Sequence, residues 1–258
     1  MKRLLAGLLS AALLLSAAPA HAAPSVRPPR TVKFTERVFL AEDGRRTLFL
    51  RRSGAFRLGD SGVAAADVTA RLAITPADLP GEAFTWLAAP ERTIRVGTTS
   101  YLSGGLYGTL LPEGRTWYRY PGGPAAGVTG TYSQLLNIAE PRTRATLLKT
   151  AKRTSYGYRG TITLGALYKL SPWFRASAAS KPKKPGIVLS WRLTVDAAKL
   201  PKRLVTAYTS SGETVIADTR YSGWGSAVTI VPPPPDQVAD ELATGEEPPA
   251  VPPVVGTL

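Results

Sequence analysis

The sequence of 258 residues contains no cysteine, one histidine and one methionine. Without cysteine the chain forms no disulfide bonds, so its stability must come from burial and hydrogen bonding. The histidine is His21 and the methionine is Met1, so a chain cleaved after residue 22 would have neither. A Ser-His-Asp triad and a Cys-His pair are then excluded, and a zinc site would lack its usual ligands.

Carboxylate and Ser-Lys chemistry remain open on composition. Thirteen acidic residues lie between residues 23 and 231, and those at predicted turns and strand ends, such as Asp196, are typical of structural positions. Ser180 and Lys183 have the Ser-x-x-Lys spacing of enzymes that place the serine at a helix N-terminus, but Pro182 favours an extended segment. We therefore expect a protein that is not an enzyme, with no catalytic residue, no cofactor and no metal site.

The N-terminus has the three parts of a secretory signal. Lys2 and Arg3 are positively charged, residues 4–15 form an apolar stretch too short to span a membrane, and Ala20-His21-Ala22 offers small residues for cleavage. We predict that residues 1–22 are removed on export to the periplasm, the cell envelope or the medium. No cysteine follows for a lipid anchor, and no later apolar run is long enough for a transmembrane segment.

Basic residues strongly outnumber acidic ones. The 32 Lys and Arg against 18 Asp and Glu give a net charge of +14. Loss of Lys2 and Arg3 lowers it to +12, and the tail from Pro232 carries five acids and no base, so residues 23–231 carry +17. Such a charge favours anionic partners, although a basic surface that only confers solubility is the alternative.

For an exported protein these anionic partners are a membrane surface or a cell-wall polymer, and we expect no nucleic acid. The clearest basic segment is the proline-containing loop near residue 182, which reads as extended. We predict that an anionic surface is contacted by this loop and a nearby arginine, through Arg175, Lys181, Lys183 and Lys184.

Alternating apolar and polar residues predict a mostly β fold from Thr31 onward. The clearest case is the segment 187–195, where Leu189, Trp191 and Leu193 alternate with polar residues, which is typical of a half-buried strand. The turns between the strands that follow are short. Short turns indicate an antiparallel meander, because parallel strands need longer crossovers.

Helices are predicted in a few places only. We expect a short helix at residues 133–139, a second one with Pro141 at its first position, and a third at residues 164–170. In the second helix, spacing by three predicts one apolar face that contains Ala145, Leu148 and Ala151.

Composition divides the chain into four parts. Residues 1–22 are the signal peptide, residues 23–30 a linker, and residues 31–231 a single folded domain. Residues 232–258 hold eight prolines and five acids, which predicts a disordered tail.

Four segments in this order resemble the LolA-like superfamily, in particular the LppX/LprG-type lipoproteins of the actinobacterial envelope. The segments are Leu111-Pro112-Glu113-Gly114-Arg115-Thr116-Trp117, Tyr158-Arg159-Gly160-Thr161-Ile162, Val195-Asp196 with Leu200-Pro201-Lys202-Arg203, and Tyr221-Ser222-Gly223-Trp224-Gly225. The resemblance implies an α+β, mostly β fold, with a strongly curved antiparallel sheet, or half-barrel, covered on its concave face by helices. The lipobox cysteine that tethers those lipoproteins is absent here.

The resemblance also implies a function. Members of the group hold acyl chains between sheet and helices and carry lipids across the envelope, so the predicted partner is an amphipathic lipid or glycolipid. Each buried methylene contributes about 0.8 kcal/mol to such binding. The predicted cavity lining combines strand and helix residues: Leu135, Leu136, Leu148, Leu189, Trp191, Leu193, Tyr208 and Tyr221.

The sequence leaves a second function open. On a half-barrel the same inward face serves either as a cavity wall or as a packed core, and Trp191 fits both. If side chains fill the groove, the protein is an envelope structural or interaction protein that binds anionic wall polymer or a protein partner.

Overall fold

The computed structural model describes residues 30–74, 82–178, 181–210 and 212–243. The predicted signal peptide, nearly all of the predicted linker and residues 244–258 lie outside these ranges. The described chain contains the strands β1 (Thr31–Glu42), β2 (Arg45–Leu58), β3 (Val63–Leu72), β4 (Glu91–Val96), β5 (Thr99–Gly104), β6 (Trp117–Pro121), β7 (Lys152–Thr154), β8 (Gly157–Thr163), β9 (Val188–Val195), β10 (Pro201–Ser210), β11 (Glu213–Ser222) and β12 (Val238–Ala239). Its α-helices are α1 (Gly105–Leu110), α2 (Pro141–Thr150), α3 (Leu164–Leu170) and α4 (Pro172–Ser177).

All twelve strands belong to one sheet in the order β12-β6-β5-β4-β3-β2-β1-β11-β10-β9-β8-β7. Neighbouring strands are antiparallel except for β12 and β6, which are parallel. The sheet is not closed into a barrel, so the predicted mostly β fold with a curved open sheet is confirmed, with one parallel pair added. The pairing of β1 with β11 joins the two halves of the chain.

The sheet has two chemically different faces, because successive side chains of a strand point to opposite sides. On the face that we call the covered face, side chains such as Val32 and Phe34 are buried. On the other face, which we call the open face, side chains such as Thr35 and Arg37 are exposed. The pairing register shifts between β1 and β2 and between β2 and β3, and such local irregularities bend strands and increase their twist.

The covered face is closed by residues 123–140, which we call the cover loop, and by α2, α3 and α4. Buried side chains of the cover loop, α3, α4 and the sheet form one hydrophobic cluster. Pro141 begins α2, and α3 spans residues 164–170, as predicted. Among the described residues, no helix is long and apolar enough to cross a membrane.

Two helix predictions are wrong. Residues 133–139 are not helical, because buried polar groups there bond to the sheet: the Gln134 backbone N–H donates to Glu36. In α2 the buried residues are Thr143 and Leu147, rather than Ala145, which is exposed. The residues that α2 buries follow its packing against the rest of the fold rather than its own apolar spacing, since tertiary context overrides local preference.

The predicted disorder from residue 232 is wrong for residues 232–243. Thr116 donates its backbone N–H to the Gln237 carbonyl, β12 pairs with β6, and Leu242 is buried beside Tyr107 and Tyr118. Prolines lower the cost of ordering an extended segment, and this one adds to the exposed edge of β6.

Candidate functional site

The covered face brings the predicted cavity residues together. Those on strands lie on β9, β10 and β11, and those of the cover loop lie opposite them. Leu148, on α2, is half-buried and packs at the edge of the cluster. The other seven are buried in the same cluster, namely Leu135, Leu136, Leu189, Trp191, Leu193, Tyr208 and Tyr221.

Small voids border this cluster. A void beside Tyr221, Phe56 and Trp173 has a volume of about 10 Å³, and one beside Trp86 and Leu106 has about 20 Å³. Pockets for small molecules measure roughly 300–1,000 Å³. In the described part of the chain the predicted lining therefore forms a packed core.

A buried ion pair lies inside this core. The Arg52 guanidinium donates through Nη1 to Glu36 Oε1 at 3.0 Å, and both side chains are at most 2% exposed. Glu36 also accepts from the Gln134 backbone N–H and the Thr219 hydroxyl, each at 3.0 Å. A buried charge is tolerated only when it is paired and hydrogen-bonded, so Glu36 links the cover loop to the sheet.

Two further buried carboxylates hold the cover. Glu91 accepts at 2.8 Å from the Thr129 hydroxyl of the cover loop. Glu140 accepts from the Thr143 and Ser171 hydroxyls at 2.8 and 2.5 Å and from the Trp173 backbone N–H at 2.8 Å. Burial raises the pKa of Glu140, and these hydrogen bonds oppose the shift. Burial also raises the pKa of the Tyr208 and Tyr221 phenols.

The residues of the predicted basic contact lie on α4 and on the loop that precedes β9. Arg175 donates to the carbonyls of Tyr168 and Lys169, at the end of α3, which is a common way to satisfy helix C-terminal carbonyls. Lys181 and Lys183 are exposed on the loop that precedes β9. Ser180 lies outside the described residues.

The open face carries a basic groove that sequence reasoning missed. It has a volume of about 550 Å³ and lies across β11, β1, β2 and β3; we call it the first groove. Its floor includes three hydroxyl side chains, Thr35, Ser53 and Thr69. Four exposed arginines line it: Arg37, Arg51, Arg71 and Arg220. Within the described chain, none of these four has a carboxylate oxygen within 4 Å of its guanidinium nitrogens.

Two acids line the first groove: Glu36, whose side chain is paired with Arg52 on the covered face, and Asp218. Asp218 is only 15% exposed, and its two carboxylate oxygens accept from Arg203 at 2.8 and 2.7 Å. This bidentate contact raises the pKa of Arg203. Because Arg203 balances the charge of Asp218, the four groove arginines keep their positive potential.

A sequence signal for the groove exists but is incomplete. Arg37 and Arg51 each occupy the polar positions of an alternating segment, which predicts exposure. The signal does not give the register between strands, and Arg52 next to Arg51 obscures the alternation. Register decides which arginines stand side by side.

The described residues contain no group of three His, Cys, Asp or Glu side chains that could hold a metal ion. The buried carboxylates Glu36, Glu91 and Glu140 all accept hydrogen bonds from neighbouring protein groups. These bonds connect the cover loop to the sheet and to α4, whereas the sequence pattern, which places acids at turns and strand ends, did not predict buried carboxylates.

No protein-family model matches the chain, and no curated protein matches it. Solved structures that are similar to this one include the following three. For the ywiB protein from Bacillus subtilis, identity is 8%, coverage is 75% of this chain and 92% of that one, and the TM-score is 0.22. For a DUF1329 family protein from Desulfovibrio piger, identity is 9%, coverage is 75% of this chain and 84% of that one, and the TM-score is 0.27. For a LolA superfamily protein from Nitrosomonas europaea, identity is 12%, coverage is 76% of this chain and 86% of that one, and the TM-score is 0.34. The sequence motifs of this chain resemble that superfamily.

Proposed function

We propose that this protein is an exported, non-catalytic binding protein of the cell envelope that holds an anionic partner in the first groove. The observation that carries this function is the set of exposed arginines that face one open groove without carboxylate partners. The partner would supply the carboxylate or phosphate oxygens that the protein itself does not.

Arginine suits this task. Its planar guanidinium forms paired hydrogen bonds to a carboxylate or phosphate group, and such charge-assisted bonds are roughly twice as strong as neutral ones. Arg37 stands directly opposite Arg51, and Arg51 stands opposite Arg71. Like charges directly opposite each other on a sheet are destabilising, so a bound anion would relieve repulsion in addition to forming new contacts.

The packed core on the covered face supports an interaction protein more than an open lipid carrier. The voids of about 10 and 20 Å³ there leave no room for an acyl chain while the cover is closed. Grooves large enough for a ligand lie on the opposite face, and the first groove is lined by arginines and hydroxyl groups.

The test is binding of a tetrasaccharide of galacturonic acid, followed by calorimetry, with uncharged maltotetraose as the comparison. The Arg37→Gln/Arg51→Gln variant should bind the acidic sugar at least about tenfold more weakly, because two charge-assisted contacts are lost. The control variant Arg142→Gln/Lys149→Gln removes the same charge from exposed positions of α2. Equal weakening in both variants, or equal binding of both sugars, would refute a groove-specific function.

Lipid binding is the second candidate. The predicted lining residues do meet on one face, and the cover loop there is fixed by hydrogen bonds to Glu36 and Glu91 rather than by strand pairing. A carrier would have to lift this loop to admit an acyl chain. Mass spectrometry of an organic extract of the exported protein would reveal near-stoichiometric acyl lipid in that case and none if the core stays packed.

A further inference from the structure

Strand pairing places basic residues of distant segments in one line on the open face. Arg37 pairs with Arg51, and Arg51 with Arg71, across β1, β2 and β3. At the other end of the sheet, the same register line continues on β7, β8 and β9. There Lys152 pairs with Arg159, and Arg159 pairs with Arg192. We call these six exposed residues the basic row.

The two halves of the basic row are connected in register. Arg192 pairs with Val205, Val205 with Asp218, and Asp218 with Arg37. The acid at the centre is bound by Arg203, and Arg220 stands opposite Arg203 on the neighbouring strand. Each of the eight strands from β7 to β3 in the sheet order therefore places a basic side chain on or next to this line.

The row runs through two grooves. Its β1–β3 half lies in the first groove. Its β7–β9 half, with Lys152, Arg159 and Arg192, lies in a second groove of about 800 Å³. Eight strands separated by about 4.8 Å give the row a length of about 34 Å, perpendicular to the strands.

Each half of the basic row has uncharged residues along one of its two sides. In the second groove, the open-face residues that lie two positions further along each strand from the row are uncharged: Thr161, Ser190, Ala207 and Ile216. Along β1–β3, the other side of the row holds Thr35, Ser53 and Thr69. Such a line matches the charge distribution of a polymer chain better than that of a flat membrane surface.

We propose that the basic row is one continuous binding site for a linear polyanion that lies across the strands and occupies both grooves. Each repeating unit would present a carboxylate or a phosphodiester group to the side chain of one strand. This inference rests on the proposed function and adds to it the polymeric nature of the partner, its direction and its length. Counterion release from the polymer would make binding weaken as salt rises.

The test uses two galacturonate oligomers on the same purified protein: a tetramer, which is too short to span the row, and a dodecamer, which is long enough. The Arg159→Gln/Arg192→Gln variant should bind the dodecamer at least about tenfold more weakly, since the second groove no longer contributes to multivalent binding. It should bind the tetramer within about twofold of wild type, because the first groove is intact. The Arg142→Gln/Lys149→Gln variant is the matched control.

The outcomes separate this inference from the proposed function. If Arg159→Gln/Arg192→Gln leaves dodecamer binding unchanged while Arg37→Gln/Arg51→Gln still weakens the tetramer, the continuous site is refuted and the proposed function stands. If neither oligomer binds and polyglycerol phosphate also fails, both are refuted. Tighter binding to polyglycerol phosphate than to galacturonate assigns the partner to phosphodiester polymers. Tighter binding to phosphatidylglycerol vesicles than to either polymer would overturn the polymer site in favour of a membrane.

Discussion

At the scale of single residues, three buried carboxylates fix the cover. Glu36 and Glu91 reach from the sheet to the cover loop, and Glu140 reaches from the end of that loop to the first turn of α4. A buried carboxylate without partners would be strongly destabilising. Each of these three groups therefore favours the closed position of the cover, in which its hydrogen bonds are formed.

The ion pair of Glu36 and Arg52 should respond strongly to removal of one partner. We expect Arg52→Met to lower the free energy of unfolding by about 3–5 kcal/mol, because it leaves the Glu36 charge buried and unpaired. Guanidinium denaturation gives this value. Adding Glu36→Gln should restore part of the loss by removing that charge.

The pair of Arg203 and Asp218, in which the arginine is on the surface, provides the comparison for that measurement. Arg203→Met should cost about 1 kcal/mol, the upper end for exposed ion pairs, since Arg203 is 47% exposed and Asp218 is 15% exposed. If Arg52→Met and Arg203→Met lower the free energy of unfolding equally, the expectation that an unpaired charge is costlier in the core than at the surface is wrong.

The stability contributed by Glu140 should depend on pH. Burial raises its pKa in the folded state above the ordinary value of 4.5, so the folded protein holds this proton more tightly than the unfolded chain. That contribution is fully present below the unfolded pKa and is lost as pH rises through the folded pKa. The unfolding free energy of wild type relative to Glu140→Gln should therefore fall as pH rises above about 4.5.

Urea denaturation at a series of pH values measures this difference, with Glu113→Gln at an exposed position as the control. A wild-type advantage over Glu140→Gln that grows with pH would show that hydrogen bonds outweigh burial at this carboxyl.

At the scale of elements, the segment 232–243 is part of the folded domain. It adds β12 to the edge of β6, inserts Leu242 beside Tyr107 and Tyr118, and pairs Asp240 with Arg119 at 2.5 Å. The preceding Ile230 packs on the open-face side against Ala65, Ile94 and Trp117. This segment covers an edge strand that would otherwise present unpaired backbone groups.

Truncation tests this role. A chain that ends at Val231 should lose on the order of 2 kcal/mol of unfolding free energy, since burial of one leucine side chain contributes about 1.5–3 kcal/mol. A chain that ends at Ala243 keeps every contact just described and should match the full chain in thermal unfolding. Equal midpoints for all three chains would mean that residues 232–243 do not stabilise the domain.

At the scale of the whole molecule, the two faces of the sheet differ in chemistry, and the proposed binding site lies opposite the core. The covered face contains the apolar core and the buried ion pair, and the open face carries the basic row. Binding energy on the open face therefore does not compete with packing on the covered face. We expect substitutions in the basic row to change polyanion affinity with little change in stability, and the reverse for substitutions at Glu36 or Arg52.

Much of this architecture follows from local pattern. The alternation around Leu189, Trp191 and Leu193 correctly predicted which side of β9 is buried, because a strand has only two faces. Pro141 correctly predicted the start of α2, because its fixed backbone angle suits the first helical position. The non-helical cover loop escaped prediction, since Gln134 bonds to residues that are distant in sequence: Glu36, Thr206 and Thr219.

By itself, the sequence determined the β-rich class, the burial pattern of individual strands, the excess of positive charge, and the absence of cysteine. Each of these depends on residue type or on spacing within one segment. Only the tertiary structure decided that the predicted lining packs as a core, that residues 232–243 join the sheet, and that arginines from separate strands stand in one row. Those features depend on register and on contacts between distant segments, and spacing within a segment does not encode which residues of two strands stand opposite each other.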